Sequence, residues 1–223
     1  MGKNSSRELK LKKDNLKDID FYFITDSSLS RNGILSDVNN AIDAGCKIIQ
    51  YREKNKNSQA LIDEALKIRM LCKDALFLIN DQVDVALAVG ADGVHIGHED
   101  MQYKFARELL GREKIIGITV HNEHEAIVAE KAGADYIGLS PIFVTSTKIN
   151  AGLPCGTQMI GEVRKKTNIP IVAIGGITKQ NVADVIISGA DSAAAISAVL
   201  NSENVGKEVS DFINIIRENK KKR

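Results

Sequence analysis

The stretch AGADYIGLS, residues 132–140, decides the fold, because the chain repeats its pattern. Gly133 suits a helix end, since glycine readily takes the positive φ found there, and an apolar run that predicts a strand follows about three residues later. The pattern recurs in AGCKIIQ (44–50), VGADGVHIG (89–97) and SGADSAAAIS (188–197). Each copy predicts a helix that ends near glycine and leads directly into a strand.

Apolar runs without polar alternation stand at eight places along the chain, and such runs are typical of parallel strands buried on both faces. They are FYFIT (21–25), KIIQY (47–51), LFLIN (76–80), GVHIG (93–97), KIIGITV (114–120), YIGLSP (136–141), PIVAIGG (170–176) and SAAAIS (192–197). Segments with helical periodicity separate them, which predicts one α/β domain, a single (β/α)8 TIM barrel. A doubly wound sheet is disfavoured, because the strand count reaches eight and no GxGxxG follows the first strand.

The composition narrows the class of protein. The 30 Lys and Arg nearly balance the 29 Asp and Glu, so a nucleic acid partner is not implied. No apolar run reaches the roughly 20 residues of a membrane span, and three cysteines without a CxxC pair favour a reducing compartment. We therefore predict a cytoplasmic protein with a barrel domain over 19–223 and a polar extension, helical or mobile, over 1–18. A homo-oligomer is left open.

Polar residues at the C-terminal ends of the strands are the candidate site residues, because barrels of this type build their sites there. Gln50, Arg52 and Lys54 stand on alternate positions of an extended segment, so they are predicted to point the same way. The further candidates along the chain are Asn80, Asp81, Asp100, Thr119, His121, Thr145, Thr147, Lys148, Gly175, Gly176, Ile196 and Ser197.

Two carboxylates on neighbouring strand ends predict a metal site. Mg²⁺ takes one or two protein carboxylates and fills its other positions with water and phosphate oxygens, which suits Asp81 and Asp100. The cations Arg52, Lys54 and Lys148 could clamp the same phosphates. Each aspartate also precedes a predicted helix, so an N-cap is the alternative for both.

A second phosphate position is indicated after strands 7 and 8, where barrels often bind a monophosphate through backbone N–H groups. Gly175–Gly176 and Ile196–Ser197 stand there, although a tight turn would also explain the glycines. His121 is either a general base or a helix cap. An enzyme that binds a diphosphate and a monophosphate together would join two molecules with loss of diphosphate.

The remaining histidines have less specific interpretations. His95 lies inside the fourth predicted strand, which makes it a pocket or core residue. His98 and His124 are expected to be solvated.

Four stretches in this order resemble the thiamine phosphate synthase family over about residues 20–215. They are QYREK (50–54), LINDQVDVALAVGADGVHIGHEDM (78–101), YIGLSPIFVTSTK (136–148) and IPIVAIGGIT (169–178). The resemblance implies that 4-amino-2-methyl-5-hydroxymethylpyrimidine diphosphate and a thiazole phosphate are condensed to thiamine phosphate and diphosphate. It implies Mg²⁺ as cofactor and small molecules as the binding partners.

The resemblance also implies a role for individual residues. The pyrimidine diphosphate is assigned Gln50, Arg52, Glu53, Lys54 and Asn80; Mg²⁺ is assigned Asp81 and Asp100; the loop between the substrates is assigned Thr145, Thr147 and Lys148; and the thiazole phosphate is assigned Gly176, Ile196 and Ser197. Arg52, Lys54 and Lys148 would stabilise the departing diphosphate.

The chain departs from the family pattern at two points. Thr119 stands where the family often has Ser, and VTSTK (144–148) replaces the commoner Pro-Thr-x-Thr-Lys, which makes the start of that loop less rigid. A thiazole tautomerase and a noncatalytic thiazole phosphate sensor are the alternative functions. Neither of them needs the residues assigned to the diphosphate.

Overall fold

The computed structural model describes residues 16–147 and 152–223. The strands are β1 (Phe23–Ile24), β2 (Ile48–Tyr51), β3 (Leu76–Asn80), β4 (Gly93–Ile96), β5 (Ile115–Val120), β6 (Tyr136–Leu139), β7 (Ile171–Ile174) and β8 (Ser192–Ala194). The helices are α1 (Ile34–Asp43), α2 (Ser58–Leu71), α3 (Val83–Ala88), α4 (Tyr103–Leu110), α5 (Glu123–Ala132), α6 (Gly156–Lys166), α7 (Val182–Ile187), α8 (Ser197–Leu200) and α9 (Val205–Lys220).

The eight strands form one parallel sheet in the order β1 to β8, so each strand pairs with its neighbours in sequence. A parallel bridge between Phe21 and Ala193 joins the two edges, and the Tyr22 amide donates to the carbonyl oxygen of Ala193 at 3.0 Å. The sheet therefore closes on itself with a helix after every strand, and the prediction of a TIM barrel is confirmed.

Several strands are shorter than predicted at the ends that carry the site. β2 ends at Tyr51, as predicted, so Arg52 and Lys54 belong to the following loop. β7 ends at Ile174, because Gly175 and Gly176 both have positive φ, and Ser197 begins α8 instead of extending β8. The period-two alternation of a strand therefore does not extend to Arg52 and Lys54, although all three side chains line one cavity.

Apolar side chains fill two layers, because residues of a strand alternate between its faces. One layer lies between the strands and the surrounding helices. The other fills the barrel interior and includes Leu16 and Ile19, which precede β1. Leu16 belongs to a short 3₁₀ helix (Leu16–Asp18). The end of the predicted extension thus packs into the barrel, residues 1–15 lie outside the described residues, and the boundary at 18 stays a prediction.

The repeated Gly-Ala-Asp triplets form a structural device at the N-terminal ends of the strands, here called the lower end. Each aspartate accepts a hydrogen bond from a backbone amide of the preceding strand: Asp92 from Phe77 at 2.8 Å, Asp135 from Ile116 at 2.8 Å and Asp191 from Ile171 at 2.9 Å. Each also pairs with an arginine from a helix: Arg69 with Asp92, Arg107 with Asp135 and Arg164 with Asp191. These contacts connect α2, α4 and α6 to the lower end of the barrel.

In the part of the chain that the structure describes, no helix combines the length and the apolar character needed to span a bilayer.

Candidate active site

A cavity of about 700 Å³ opens at the C-terminal ends of the strands, here called the upper end. It is lined by these predicted site residues: Gln50, Arg52, Lys54, Asn80, Asp81, Asp100, Thr119, His121, Thr145, Thr147, Gly175, Gly176, Ile196 and Ser197. Glu53 is absent from this lining, and Lys148 lies outside the described residues. The fold thus brings together residues from the C-terminal ends of seven successive strands, β2 to β8, and from the loops that follow them.

Two cations after β2 form one wall of the cavity. The Arg52 backbone is held by Thr25, whose hydroxyl accepts from the Arg52 amide at 2.9 Å and donates to its carbonyl oxygen at 3.0 Å. The Arg52 guanidinium pairs with the buried carboxylate of Asp26. Lys54 donates to Asp81 at 2.6 Å, but about half of its side chain is exposed. Arg52 is therefore fixed, whereas Lys54 can turn towards a ligand.

Asp26, the partner of Arg52, is not among the site residues predicted from the sequence. It follows the first strand in FYFITD, so the rule that selects polar residues at strand ends would have found it.

Glu53 points away from the cavity. Its side chain is buried, one carboxylate oxygen accepts from the Asn55 amide at 2.8 Å, and the other lies 3.6 Å from the Lys56 ammonium. These contacts shape the loop that presents Arg52 and Lys54. A direct contact between Glu53 and a substrate stays a prediction.

Asp81 and Asp100 bring two carboxylates together beside Lys54. The pKa of Asp100 is raised, first by partial burial and then by the neighbouring Asp81 carboxylate. Asp81 has a φ of 63°, a conformation uncommon for residues other than glycine. Its backbone amide donates to the carbonyl oxygen of His95 at 2.8 Å. Two adjacent carboxylates are a donor set that fits a hard divalent cation.

The alternative of helix caps is wrong for both aspartates. The N-cap of α3 is Gln82, and the N-cap of α4 is Gln102. Asp100 instead accepts from the Gly97 amide at 2.7 Å, which folds the loop after β4 back towards Asp81.

A chain of hydrogen bonds runs through the barrel interior below the cavity. Gln50 donates to the Tyr22 hydroxyl at 2.9 Å, which lies 2.6 Å from the hydroxyl of Tyr136. The ring of His95 joins Tyr136 to Thr119, with both contacts at 2.9 Å. Burial raises the pKa of both tyrosines, so they stay neutral. His95 is thus both a core and a cavity residue, and the network fixes Gln50 and Thr119.

Gly175 and Gly176 lie against the loop after β6. Gly176 has a φ of 63°, and a Cβ placed there would lie 2.5 Å from the carbonyl oxygen of Val144. The Phe143 amide also donates to the Gly175 carbonyl oxygen at 3.0 Å. The tight-turn interpretation therefore accounts for glycine at both positions, and phosphate binding by Gly176 stays a prediction.

Ile196 is the N-cap of the short helix α8, which begins at Ser197, and residues 196–198 line the cavity. The first turn of α8 therefore borders the cavity next to Gly176. This juxtaposition is suited to a monophosphate, because amides at the start of a helical turn have no partner within the helix.

His121 follows β5 at the rim of the cavity. Its Nδ1 contacts the carbonyl oxygen of Ser140, and the N-cap of α5 is Asn122, so the helix-cap alternative for His121 is wrong. His124 is exposed, as expected. His98 is also exposed, but it stacks on His121 with 4.9 Å between the ring centroids.

Comparison with known proteins gives a consistent result. A family model described as thiamine monophosphate synthase matches residues 21–199. The thiamine-phosphate synthase of Methanosarcina mazei is 57% identical over 216 residues, which cover 96% of this chain and 90% of that protein. The one of Clostridium perfringens is 42% identical over 197 residues, with coverage of 87% and 95%. A solved thiamine phosphate pyrophosphorylase from Pyrococcus furiosus superposes with a TM-score of 0.85 at 38% identity and covers 92% of this chain and 98% of that one.

Proposed function

The chain belongs to the thiamine monophosphate synthase family, and on that premise we propose that it transfers the pyrimidinylmethyl group of a pyrimidine diphosphate to the ring nitrogen of a thiazole phosphate. The observation that carries the proposal is that two cations, a carboxylate pair, a glycine turn and the start of α8 all line one cavity. The diphosphate would bind near β2 to β4 and the monophosphate near β7 and β8.

The carboxylate pair is the proposed Mg²⁺ site. Asp81 and Asp100 supply two oxygen ligands of the kind that Mg²⁺ prefers, and diphosphate oxygens would complete the shell. A bound Mg²⁺ would neutralise negative charge that grows on the departing diphosphate. Lys54, which now contacts Asp81, is exposed enough to turn to the diphosphate once the cation takes its place.

The remaining candidates are assigned to the rest of the substrates. Gln50, Asn80 and Thr119 would contact the pyrimidine diphosphate, and the hydrogen-bond chain through Tyr22, Tyr136 and His95 would keep Gln50 and Thr119 in position. Thr145 and Thr147 would lie between the two phosphorylated groups. Gly176, Ile196 and Ser197 would hold the thiazole phosphate.

The chemical step requires stabilisation of charge rather than a protein nucleophile. The bond between the pyrimidinylmethyl carbon and the diphosphate oxygen breaks, and its electron pair leaves with the diphosphate. The 4-amino group of the pyrimidine stabilises the resulting cation, and the lone pair of the thiazole nitrogen forms the new C–N bond. Arg52 and Lys54 stabilise the leaving group, and Lys148 is assigned the same role from the sequence.

One assay tests this function against its alternatives. Diphosphate and thiamine phosphate should appear in equal amounts when the purified chain receives both substrates and Mg²⁺, and neither should appear when one substrate is withheld. Thiazole isomerisation without diphosphate release would indicate a tautomerase, and binding without turnover would indicate a sensor. Parallel reactions with the carboxylated and the uncarboxylated thiazole phosphate identify which one is used.

A further inference from the structure

A second group of potential metal ligands lies at the rim of the cavity and shares no residue with the Asp81–Asp100 pair. We propose that His98, His121 and Glu125 form a site for a borderline divalent transition ion, with Zn²⁺ as its representative. The site joins the loop after β4 to the start of α5. It is independent of the reaction proposed above, because neither substrate is needed to form it.

The three side chains already have the spacing of a metal site. Each offers a ligand atom, and these atoms lie within 4.8 Å of one another. His98 Nε2 is 3.0 Å from a carboxylate oxygen of Glu125, and the two imidazole rings are stacked with an angle of 21° between their planes. Over residues 16–147 and 152–223, this is the one group of three or more His, Cys, Asp or Glu that meets this criterion.

The hydrogen bonds around these ligands provide a second, independent observation. The Ser140 carbonyl oxygen can only accept, so Nδ1 of His121 carries the proton and Nε2 keeps a free lone pair. Glu125 is held by the His121 amide at 2.8 Å and by the Asn122 side chain at 2.7 Å. Metal-binding histidines and carboxylates are typically oriented by such outer contacts, so two of the three ligands are preorganised.

The chemistry of the donors selects the ion. Imidazole nitrogens suit Zn²⁺ and its neighbours in the first transition row, whereas Mg²⁺ and Ca²⁺ prefer oxygen ligands. Two histidines and one glutamate form a recurring three-ligand zinc set that leaves a fourth position open. His98 and His121 both line the cavity, so water or an anion in the cavity can reach that position.

The competing explanation is an ordinary ion pair between a protonated His98 and Glu125, stacked on His121 by chance. This explanation accounts for the 3.0 Å contact. It does not require the proton of His121 to be held on Nδ1 while Glu125 is fixed from two sides. The two explanations differ in whether the site takes up a metal ion.

Calorimetric titration of the full, untagged chain with Zn²⁺ distinguishes them. Excess Mg²⁺ is present throughout to occupy the carboxylate pair. We expect one equivalent of Zn²⁺ to bind, and we expect His98→Gln and Glu125→Gln each to weaken binding by at least about tenfold, since even outer contacts of a metal site are worth roughly 10–100-fold in affinity. His124→Gln is the matched control, because His124 is an exposed histidine of α5, the helix that carries Glu125. The Zn²⁺ affinity of this variant should equal that of the parent.

The results that would overturn the proposal are equally defined. They are the absence of Zn²⁺ binding under these conditions, an unchanged affinity in both the His98 and Glu125 variants, or an equal loss in the His124 control. A further variant, Asp81→Asn, should leave Zn²⁺ binding intact. If it abolished binding, the ion would belong to the carboxylate pair. Circular dichroism of each variant verifies that a lost site is not a lost fold.

Discussion

The two ends of the barrel use the same charged residues in opposite ways. At the lower end Asp92, Asp135 and Asp191 each pair with an arginine and accept from a strand amide; Asp92 and Asp191 are buried, and the side chain of Asp135 is only 8% exposed. At the upper end Asp81 and Asp100 lie beside each other with the half-exposed Lys54 as a cation. The lower end matches each charge with fixed partners, while the upper end leaves negative charge that a cation can neutralise. The burial of an aspartate and its fixed partners therefore decide whether it stabilises the fold or is available to bind a cation.

Asp81→Asn should produce the largest functional loss at the upper end. Asparagine tolerates the positive φ of Asp81, so the backbone is kept and mainly the charge is removed. We expect kcat to fall by about 10²–10³, the typical cost of losing one preorganised charge-stabilising group. Steady-state kinetics at several Mg²⁺ concentrations measure this loss.

Asp63→Asn is the control for that experiment, since Asp63 is an exposed carboxylate on the outer surface of α2. Its kcat should equal that of the parent. If Asp81→Asn had a similar kcat as well, or if the parent kept full activity in EDTA, the carboxylate pair would have no role in turnover.

Asp135→Ala should produce the opposite result at the lower end, with a large loss of stability and little loss of chemistry. The change leaves Arg107 without its 2.7 Å partner and the Ile116 amide without its 2.8 Å acceptor. Breaking a buried pair from one side costs about 3 kcal/mol, which lowers Tm by about 6–12 °C in a chain of this size.

Urea or thermal unfolding measures the loss, and kcat is compared at a temperature where both proteins are folded. We expect the two kcat values to agree within about twofold, because Asp135 lies at the opposite end of the barrel from the cavity. A large fall in kcat without a fall in stability would contradict the division between the ends.

An Arg→Lys exchange at each end gives a smaller, matched comparison. Arg52→Lys should lower kcat/KM about tenfold, or about 1.4 kcal/mol, because lysine lacks the planar fork that can contact Asp26 and a diphosphate together. Arg69→Lys should leave kcat/KM unchanged and alter stability by no more than about 0.5 kcal/mol, since its 3.4 Å pair with Asp92 is partly exposed. Equal effects of the two exchanges on kcat/KM would remove the special role of Arg52.

The fold was predictable because its cause is local and repeated. Four helix–glycine–strand segments and eight apolar runs indicate repeated βα units, and eight such strands leave few other topologies. The strand ends were less predictable, because they depend on contacts between loops. Gly175 and Gly176 terminate β7 where the loop after β6 packs against them, and neither contact can be inferred from a single stretch.

The candidate site was predictable where a charge follows a strand and unpredictable where partners are distant in sequence. Asp81 and Asp100 follow their strands and lie where the strand-end rule expects them. The contact between Tyr22 and Tyr136 spans 114 positions, and both residues look like ordinary members of apolar runs. Glu53 is assigned to the substrate only by the family resemblance, and its burial beside Asn55 could not be inferred from the sequence.

The smallest expected effect is also the most direct test of the contrast between the ends. Asp100→Asn should slightly stabilise the metal-free protein at neutral pH, whereas Asp135→Ala destabilises it. The pKa of Asp100 is raised by partial burial and by Asp81, so its ionised form is less favourable in the folded chain than in the unfolded chain. Its contribution to stability is therefore complete below the unfolded pKa and is lost as pH rises through the folded pKa. Because water screens this partly exposed pair, the gain in the variant should be only about 0.5 kcal/mol.

The size of that gain should depend on pH, and its sign should depend on whether Mg²⁺ is bound. Urea unfolding in EDTA should show Asp100→Asn as the more stable protein at pH 7, and the difference should vanish below about pH 3, where the carboxyl is protonated in both states. Added Mg²⁺ should reverse the order, because it stabilises only the folded parent with both carboxylates. If Asp100→Asn were less stable than the parent in EDTA at pH 7, the Asp100 carboxylate would be stabilised by its contacts, as Asp135 is. The upper end would then not carry unneutralised negative charge, and the contrast with the lower end would fail.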